Sequence, residues 1–468
     1  MLDHHEGDNA SELGGAEFAT PPKRHSERDS RAARSNTSSL DGLRGYAALA
    51  VMNYHILYAY QSAVFYGYGL SHTAALQCAR PDDVDAHNRW LHQLPVVRLV
   101  YTGTWPISVF FVISGFALSY KPLAESQNSF SSSVSATASS LLRRPFRLFG
   151  PPILATFVTM LAIQLGAYEH GRQISRDPHW VPVINEVHQV RYQTFVSQLL
   201  DWLQQTWRMF HVFWWGDLHN KYDVHLWTIP TEFRCSLAIF LILPVYVSIR
   251  PAVRKVLMVV LIFYVYALDR WDVALFYAGL LIADTAIRGD SACDELPTKD
   301  SSHRVLSRAL RIVLLMLSLL CLSSPDFCIE STPGYEVLAR LIPSSDPAPF
   351  RFVPNLGGIL LVALLAHTGP SNPIVSRMLN SALPQYLGRI SYSLYIIHGP
   401  LIHTLGYAVF PFFWTITGRN EGWRYLAGFG AAYMVLLASA IGMADLFWRM
   451  VDEPCVRLAR AVRDRVIL

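Results

Sequence analysis

Charge is what this chain has little of. Asp, Glu, Lys and Arg together make up 16% of its 468 residues, against 52% apolar, and the mean hydropathy is positive. Soluble globular domains carry about a quarter charged residues, so a soluble fold is not the expected class. The formal net charge is only +4, with the basic residues scattered among loops, which excludes the gathered patch of a nucleic-acid-binding protein. Cysteine is also scarce. The six, Cys78, Cys235, Cys293, Cys321, Cys328 and Cys455, form no C-x-x-C pair and no zinc spacing, so no metal site is expected. No G-x-S-x-G surrounds Ser114, which argues against a nucleophilic serine there. The first forty residues hold no apolar run, so no cleavable signal peptide is expected. No internal repeat is visible.

What the chain does hold is a series of long apolar runs. A bilayer-spanning helix needs about 17–25 mostly apolar residues, and by that rule about ten segments qualify. They are Leu43–Tyr60, Val97–Tyr120, Phe149–Tyr168, Trp227–Ile249, Val253–Leu268, Trp271–Ile287, Ala309–Ser324, Phe352–His367, Leu387–Phe410 and Tyr425–Met450. The expected fold is therefore all-α, a polytopic membrane protein with about ten transmembrane helices. Residues 1–40 read as a disordered polar tail, 41–457 as the transmembrane domain and 458–468 as a short C-terminal tail. Phe195–Trp215 has helical periodicity but carries Asp201, Gln204, Gln205, Arg208 and three Trp. It is expected to lie on the membrane rather than cross it.

Lys and Arg set the orientation. With both termini in the cytosol, about twenty-two basic residues fall on the cytosolic side and about twelve opposite. The long loop from Glu169 to Leu226, rich in His and Trp, is then extracytosolic. Loops of that length usually carry function or cover a site. The segments near Ser126–Ser140 and Asp290–Ser302 read as polar cytosolic loops. Cys78 and Cys328 fall on one side, which leaves a disulfide open.

Arg44 and His55 share one face of the first apolar segment. Eleven residues is close to three helical turns, about 16 Å along the axis. A charged side chain in a membrane span is costly and points to function. The guanidinium could hold an anionic donor and the imidazole could move a proton. An Arg that snorkels to the interface and a His bonded to a neighbouring helix stays open as the alternative.

Four further segments stand beside this pair. Asp41-Gly42-Leu43-Arg44-Gly45 opens the first span. Phe110-Phe111-Val112-Ile113-Ser114-Gly115-Phe116 lies in the second. Leu226-Trp227-Thr228-Ile229-Pro230-Thr231-Glu232 opens the fourth. Gly388-Arg389-Ile390-Ser391-Tyr392-Ser393-Leu394-Tyr395-Ile396-Ile397-His398 opens the ninth. With the R-x10-H spacing of Arg44 and His55, these motifs resemble the acyltransferase-3 family of integral membrane O-acyltransferases, from about Ser39 to Arg457. The resemblance implies transfer of an acyl group, commonly acetyl, from acyl-CoA to a hydroxyl, with acyl-CoA as co-substrate and no bound cofactor. It puts Arg44 and His55 at the reaction centre, and matches the family's R-x-x-R element with Arg144 and Arg147. The acceptor is expected to be a small metabolite, secondary metabolites included, with a glycan next. The lipid bilayer is the other expected partner, and nucleic acid is not one.

The residues fit that scheme chemically. A neutral imidazole is the natural base for a hydroxyl proton, so His55 is the expected catalytic base. Arg144 and Arg147 suit bidentate contacts to the phosphates of coenzyme A, with ordinary cytosolic positive charge as an equal alternative. Glu232, inside the outer end of a span, needs a partner. It could orient His55 or a substrate hydroxyl, or pair with a loop cation such as Lys221. Ser391, Tyr395 and His398 form one stripe that could line the cavity and donate to an oxyanion, or serve as polar glue. Ser114-Gly115 reads as close helix packing, Asp445 with Arg449 as a structural i, i+4 pair, and Glu453-Pro454 as the stop of the last span. The rival from another class is a secondary transporter with an Arg/His/Glu relay, although no matching pair of broken spans is visible.

Overall fold

The computed structural model describes residues 23–78, 88–186, 189–214, 216, 218–293, 301–368, 373–419 and 422–466. Its regular structure among these is entirely helical, apart from one isolated bridge between Asn220 and Asp223. The helices are α1 (Lys23–Tyr60), α2 (His72–Cys78), α3 (Thr104–Glu125), α4 (Phe130–Gln164), α5 (Glu169–Arg176), α6 (Phe195–Met209), α7 (Thr228–Ser248), α8 (Pro251–Ala267) and α9 (Trp271–Cys293). They continue with α10 (Ser301–Leu322), α11 (Glu336–Ala339), α12 (Pro349–Thr368), α13 (Pro373–Asn380), α14 (Ala382–Leu401), α15 (Tyr407–Thr417), α16 (Trp423–Phe447) and α17 (Glu453–Val466).

Each of the ten expected spans coincides with helix, but only 6 helical segments among the described residues are long and apolar enough to cross a membrane. These are Thr104–Glu125, Phe130–Gln164, Val224–Ser248, Pro349–His367, Ala382–Thr417 and Trp423–Val466. The other four fall short for visible reasons. Helix α8 has 17 residues; α9 carries Asp272 and Asp284; the apolar part of α10 starts only after Arg311; and α1 interleaves Arg44, Asn53 and His55 with its apolar residues. Outward faces are apolar all the same. Val256, Val260 and Phe263 of α8, Ile312, Val313 and Met316 of α10, and Met434, Met443 and Met450 toward the C-terminus are exposed. Exposed apolar faces of this extent are the inverse of a soluble surface and suit lipid.

The interior is built on close helix approaches. A Cβ on Gly388 of α14 would sit 2.2 Å from the Asp41 carbonyl of α1, so these two site-bearing helices meet backbone to backbone. Gly115 likewise abuts the Phe276 backbone of α9, as the packing reading of Ser114-Gly115 expects. Asp445 and Arg449 form their i, i+4 pair at 2.7 Å.

Two local expectations need correction. Residues 130–140, read as loop, are the first three turns of α4, capped by Ser129, whose side chain accepts from the Ser132 backbone N–H. Pro454 does not stop the helix: a π-helical turn at Trp448–Asp452 carries the chain on into α17, with Pro454 in its first turn. Residues 1–22 of the expected tail, and 294–300 of the second polar segment, lie outside the described residues.

Helix α6 has the character expected of an interfacial helix. Val196, Leu200, Leu203 and Trp207 form one exposed apolar stripe, while Gln198, Trp202 and Gln205 face inward. On the same side of the molecule, Cys78 and Cys328 form a disulfide that joins the segment after α1 to the one before α11.

Candidate active site

Helix α1 spans two polar centres. The inner one is a cavity lined by Arg44 of α1, Ser114 of α3, Arg144 and Arg147 of α4, Thr228 and Glu232 of α7, and Ser391 and Tyr395 of α14, among others. The R-x-x-R spacing does what its helical period dictates: both guanidinium groups reach one cavity. At its mouth, Arg44 and Arg147 are joined by Arg389 and Asp452 around a second recess. Glu232 lies here and not beside His55. Its Oε1 accepts from Arg144 Nη2 at 2.5 Å and from Ser114 Oγ at 2.9 Å, and Arg144 Nε donates to Ser236 Oγ. Lys221 is not its partner in these contacts.

The outer centre gathers four imidazoles and two carboxylates, with three of the imidazoles on Glu186. His55 Nδ1 lies 3.1 Å from His225 Nε2 and 3.4 Å from Glu186 Oε1. His225 Nε2 lies 2.8 Å from the same Glu186 oxygen, and its Nδ1 lies 2.8 Å from Asp223 Oδ1. Glu186 Oε2 accepts from His403 Nε2 at 2.5 Å. His403 stands in the π-helical stretch Ile402–Gly406, a local winding found often at functional sites. Gly399 lets α14 approach this group: a Cβ there would fall 2.4 Å from His225 Nδ1.

His398 completes the cluster. Its ring centroid is 5.2 Å from that of His55 and 4.5 Å from that of His225. Its Nδ1 faces the Tyr395 carbonyl at 2.6 Å, an acceptor, so this nitrogen carries the proton. Its Nε2 is then a lone pair, buried and without a hydrogen-bond partner among the described residues. In this neutral form it cannot donate to an oxyanion through Nε2; it can only accept. Ring nitrogens of His55, His225 and His398 lie within 4.8 Å of one another, close enough to hold a metal ion.

Burial pushes the Glu186 carboxyl up, but His225 foremost, with His403 and His55, outweighs burial and holds it well below the usual carboxylate range. Glu186 is thus ionised at ordinary pH.

Tyr395 links the two centres. Its hydroxyl contacts Thr228 Oγ1 at 2.6 Å and donates to the His225 carbonyl, while both Tyr395 and Thr228 line the inner cavity. Of the expected stripe, Ser391 and Tyr395 face the cavity, with Ser391 Oγ bonded to its own helix at Gly388, and His398 faces the imidazoles.

Glu186, Asp223, His225 and His403 were not picked out from the sequence. The only signals were the His-rich loop as a whole and the Asp223-Val224-His225 run just ahead of the Leu226–Glu232 motif.

An all-helical membrane fold that joins an arginine-lined inner cavity to a buried histidine–carboxylate cluster has the parts of a membrane acyltransferase. The chain belongs to the acyltransferase-3 family, whose acyltransferase domain matches residues 37–444. It is similar to the O-acetyltransferase PaAT-1 of Phomopsis amygdali, 30% identical over 92% of this chain and 85% of that protein. It is also similar to acyltransferase R4 of a Phoma species, 26% identical over 90% of this chain and 94% of that one. Acyltransferase clz18 of Cochliobolus lunatus is 24% identical over 89% of this chain and 94% of its own length. No solved structure matches the chain. The protein is an acyltransferase.

Proposed function

We propose that this enzyme moves an acetyl group from acetyl-CoA to a hydroxyl of a small metabolite, with a glycan as the second choice of acceptor. The observation that carries this reading is the continuity of the two centres. A cavity edged by Arg44, Arg144 and Arg147 ends at Tyr395, and Tyr395 bonds the backbone of His225 beside His55. Guanidinium groups suit the phosphates of coenzyme A, and the narrow apolar stretch past Val51, Ile107 and Phe110 suits its uncharged arm. The name of the Phomopsis relative supports acetyl as the group and oxygen as its acceptor.

The chemistry needs one base. His55 takes the proton of the acceptor hydroxyl while its oxygen bonds the thioester carbon. The C–S bond then breaks, and the leaving thiolate recovers the proton from His55, so no net proton is consumed. Arg44, lower on the same helix, holds donor phosphate. His398 Nε2, an acceptor with no donor among the described residues, receives a hydroxyl of the acceptor molecule.

The orientation read from the sequence goes with this scheme: ten crossings, both termini and the arginine mouth in the cytosol, and the Glu169–Leu226 loop outside. The Cys78–Cys328 disulfide supports it, because disulfides persist in extracytosolic compartments.

The test uses inside-out vesicles, labelled acetyl-CoA, and metabolites extracted from cells lacking the protein. Wild type is expected to form a labelled ester and His55→Ala to form none while remaining folded and inserted. Equal labelling by His55→Ala would remove His55 from the mechanism, and no label on any metabolite with wild type would overturn the acetyl-transfer reading.

A further inference from the structure

An imidazole acts as a base only through the nitrogen that lacks a proton. Which nitrogen of His55 that is depends on what faces the other. Nδ1 of His55 has two neighbours, His225 Nε2 at 3.1 Å and Glu186 Oε1 at 3.4 Å. They demand opposite things. An ionised carboxylate only accepts, so facing Glu186 requires a proton on Nδ1 and leaves Nε2 free. Facing a protonated His225 nitrogen would require a lone pair on Nδ1 and would place the proton on Nε2, where it disables the base.

The surroundings decide between them. His225 Nδ1 is turned to Asp223 Oδ1 and its Nε2 to Glu186 Oε1, each at 2.8 Å, so both of its N–H groups already have carboxylate partners. His225 therefore has no need of His55 as an acceptor. His403, bonded to the other Glu186 oxygen, keeps that carboxylate from turning away.

We propose that Glu186 is the positioning residue of the acyltransferase: it holds the proton of His55 on Nδ1, and His225, backed by Asp223, and His403 hold Glu186 in place. The residue comes from the long outer loop, so the base on α1 is completed only when that loop is docked. The loop docks on α1 itself. The backbone N–H groups of Val183 and Ile184 donate to the Ala59 and Tyr58 carbonyls, the open acceptors at the outer end of α1. Three to four residues separate these carbonyls from His55, and two to three separate the donors from Glu186. The two short spacers fix the register of carboxylate on imidazole.

This inference rests on the acetyl-transfer reading with His55 as base, and the experiment separates the two. Wild type, His55→Gln, Glu186→Gln and Glu186→Asp are purified in detergent with the disulfide intact and assayed with acetyl-CoA and the acceptor that wild type uses. Gln at position 186 keeps the shape but not the charge, and its one oxygen cannot accept from both His225 and His403, so the acceptor that holds the proton of His55 on Nδ1 is weakened or lost. Glu186→Gln is expected to lose kcat on the order of 10²–10⁴-fold, with the KM for acetyl-CoA within about twofold of wild type. Glu186→Asp, which retains the carboxylate at a longer reach, should recover part of that loss. The loss should also be smaller for a phenolic than for an alkyl hydroxyl, since a more acidic acceptor needs less help from a base; a merely structural role would not make that distinction. If wild type is active and His55→Gln is not, but Glu186→Gln keeps full kcat, the role of Glu186 falls and the reading of His55 stands. If His55→Gln is also fully active, the reading of His55 falls first. Stoichiometric zinc in the active wild-type protein, lost with activity in Glu186→Gln, would make these residues ligands and overturn the tautomer role.

Discussion

Arg144 donates to Glu232 at 2.5 Å inside the cavity that Arg44 and Arg147 also line. Each partner neutralises the other, so the pair holds α4 to α7 and leaves Arg44 and Arg147 as the less compensated cations at the mouth. Removing one partner of a buried pair costs about 3–5 kcal/mol, because the other charge stays buried. These side chains keep 13% and 20% exposure, so a smaller cost is expected here. Glu232→Ala should lower the thermal midpoint of the purified protein, and adding Arg144→Met should restore most of it. Independent, additive losses in the double variant would show that the pair is not coupled.

The donor reading divides the arginines. Arg147→Lys should raise the KM for acetyl-CoA about tenfold with little change in kcat, because a planar fork on phosphate is lost equally in the ground and transition states. Arg44→Lys should lower kcat as well, since Arg44 shares a helix face with His55. Arg389, beside both in the recess at the mouth of the inner cavity, should behave like Arg147. Unchanged KM values in steady-state assays of all three would take the phosphates away from this mouth.

His398 should matter to the acceptor and not to the donor. Its Nε2 is buried and has no hydrogen-bond partner among the described residues, and a lost hydrogen bond is worth about 0.5–1.5 kcal/mol. His398→Phe should therefore raise the KM for the acceptor about two- to tenfold, with the KM for acetyl-CoA unmoved. The reverse pattern would place the donor at the imidazole cluster.

Helical period and membrane cost made part of this site legible in the sequence. The three-turn spacing of Arg44 and His55, the i, i+3 pair Arg144 and Arg147, and the stripe of Ser391 and Tyr395 follow from one helix each, so period alone puts them on shared faces. The all-helical fold and the position of helix at each expected span were legible for the same reason. Glu186, Asp223 and His225 were not, because they reach His55 through tertiary docking of a loop that has no period, and His403 was not, because its position follows from a π-helical turn after α14 that helical period does not foresee. Glu232 was legible as a buried carboxylate in need of a partner, but its partner depends on how α4 and α7 cross. The count of crossings was the least secure part, since α1 and α9 carry polar residues such as Asn53, Asp272 and Asp284 that face the protein interior, α8 is short, and α10 carries the exposed Arg308 and Arg311.

The disulfide and the tail sequons test orientation together. Cys78 and Cys328 are 250 positions apart and should resist alkylation until reduced. Closing a loop of that length limits the unfolded chain by about 5 kcal/mol at most, so Cys78→Ser should lower thermal stability clearly. The sequons at Asn9 and Asn36 should carry no glycan if the N-terminus stays in the cytosol. Glycan on either asparagine by mass spectrometry would invert the orientation.

Asp326 makes a pH prediction of the opposite sign to Glu186. It lies in the segment between α10 and α11, where its carboxylate accepts from Tyr54 at 3.2 Å and Thr104 at 3.3 Å. Burial raises its pKa despite Arg98, those two hydroxyls and Arg351, so the folded state binds the proton more tightly than the unfolded chain does. Stability then falls as pH rises from about 3.9, the unfolded value, through the higher folded value, because over that window the folded state holds more proton. For Glu186 the folded value is lowered, so its contribution is present above about 4.3 and is lost only as pH falls through the lowered value. Asp326→Asn keeps an acceptor oxygen for Tyr54 or Thr104 but cannot ionise. It should be at least as stable as wild type at pH 7 and should flatten the fall in thermal midpoint between pH 4 and pH 7. The midpoint of both proteins, read by the fluorescence of unfolding in detergent across that range, decides it. Parallel curves for the two would mean that Asp326 ionises alike in the folded and unfolded chain, and that its burial carries no charge penalty.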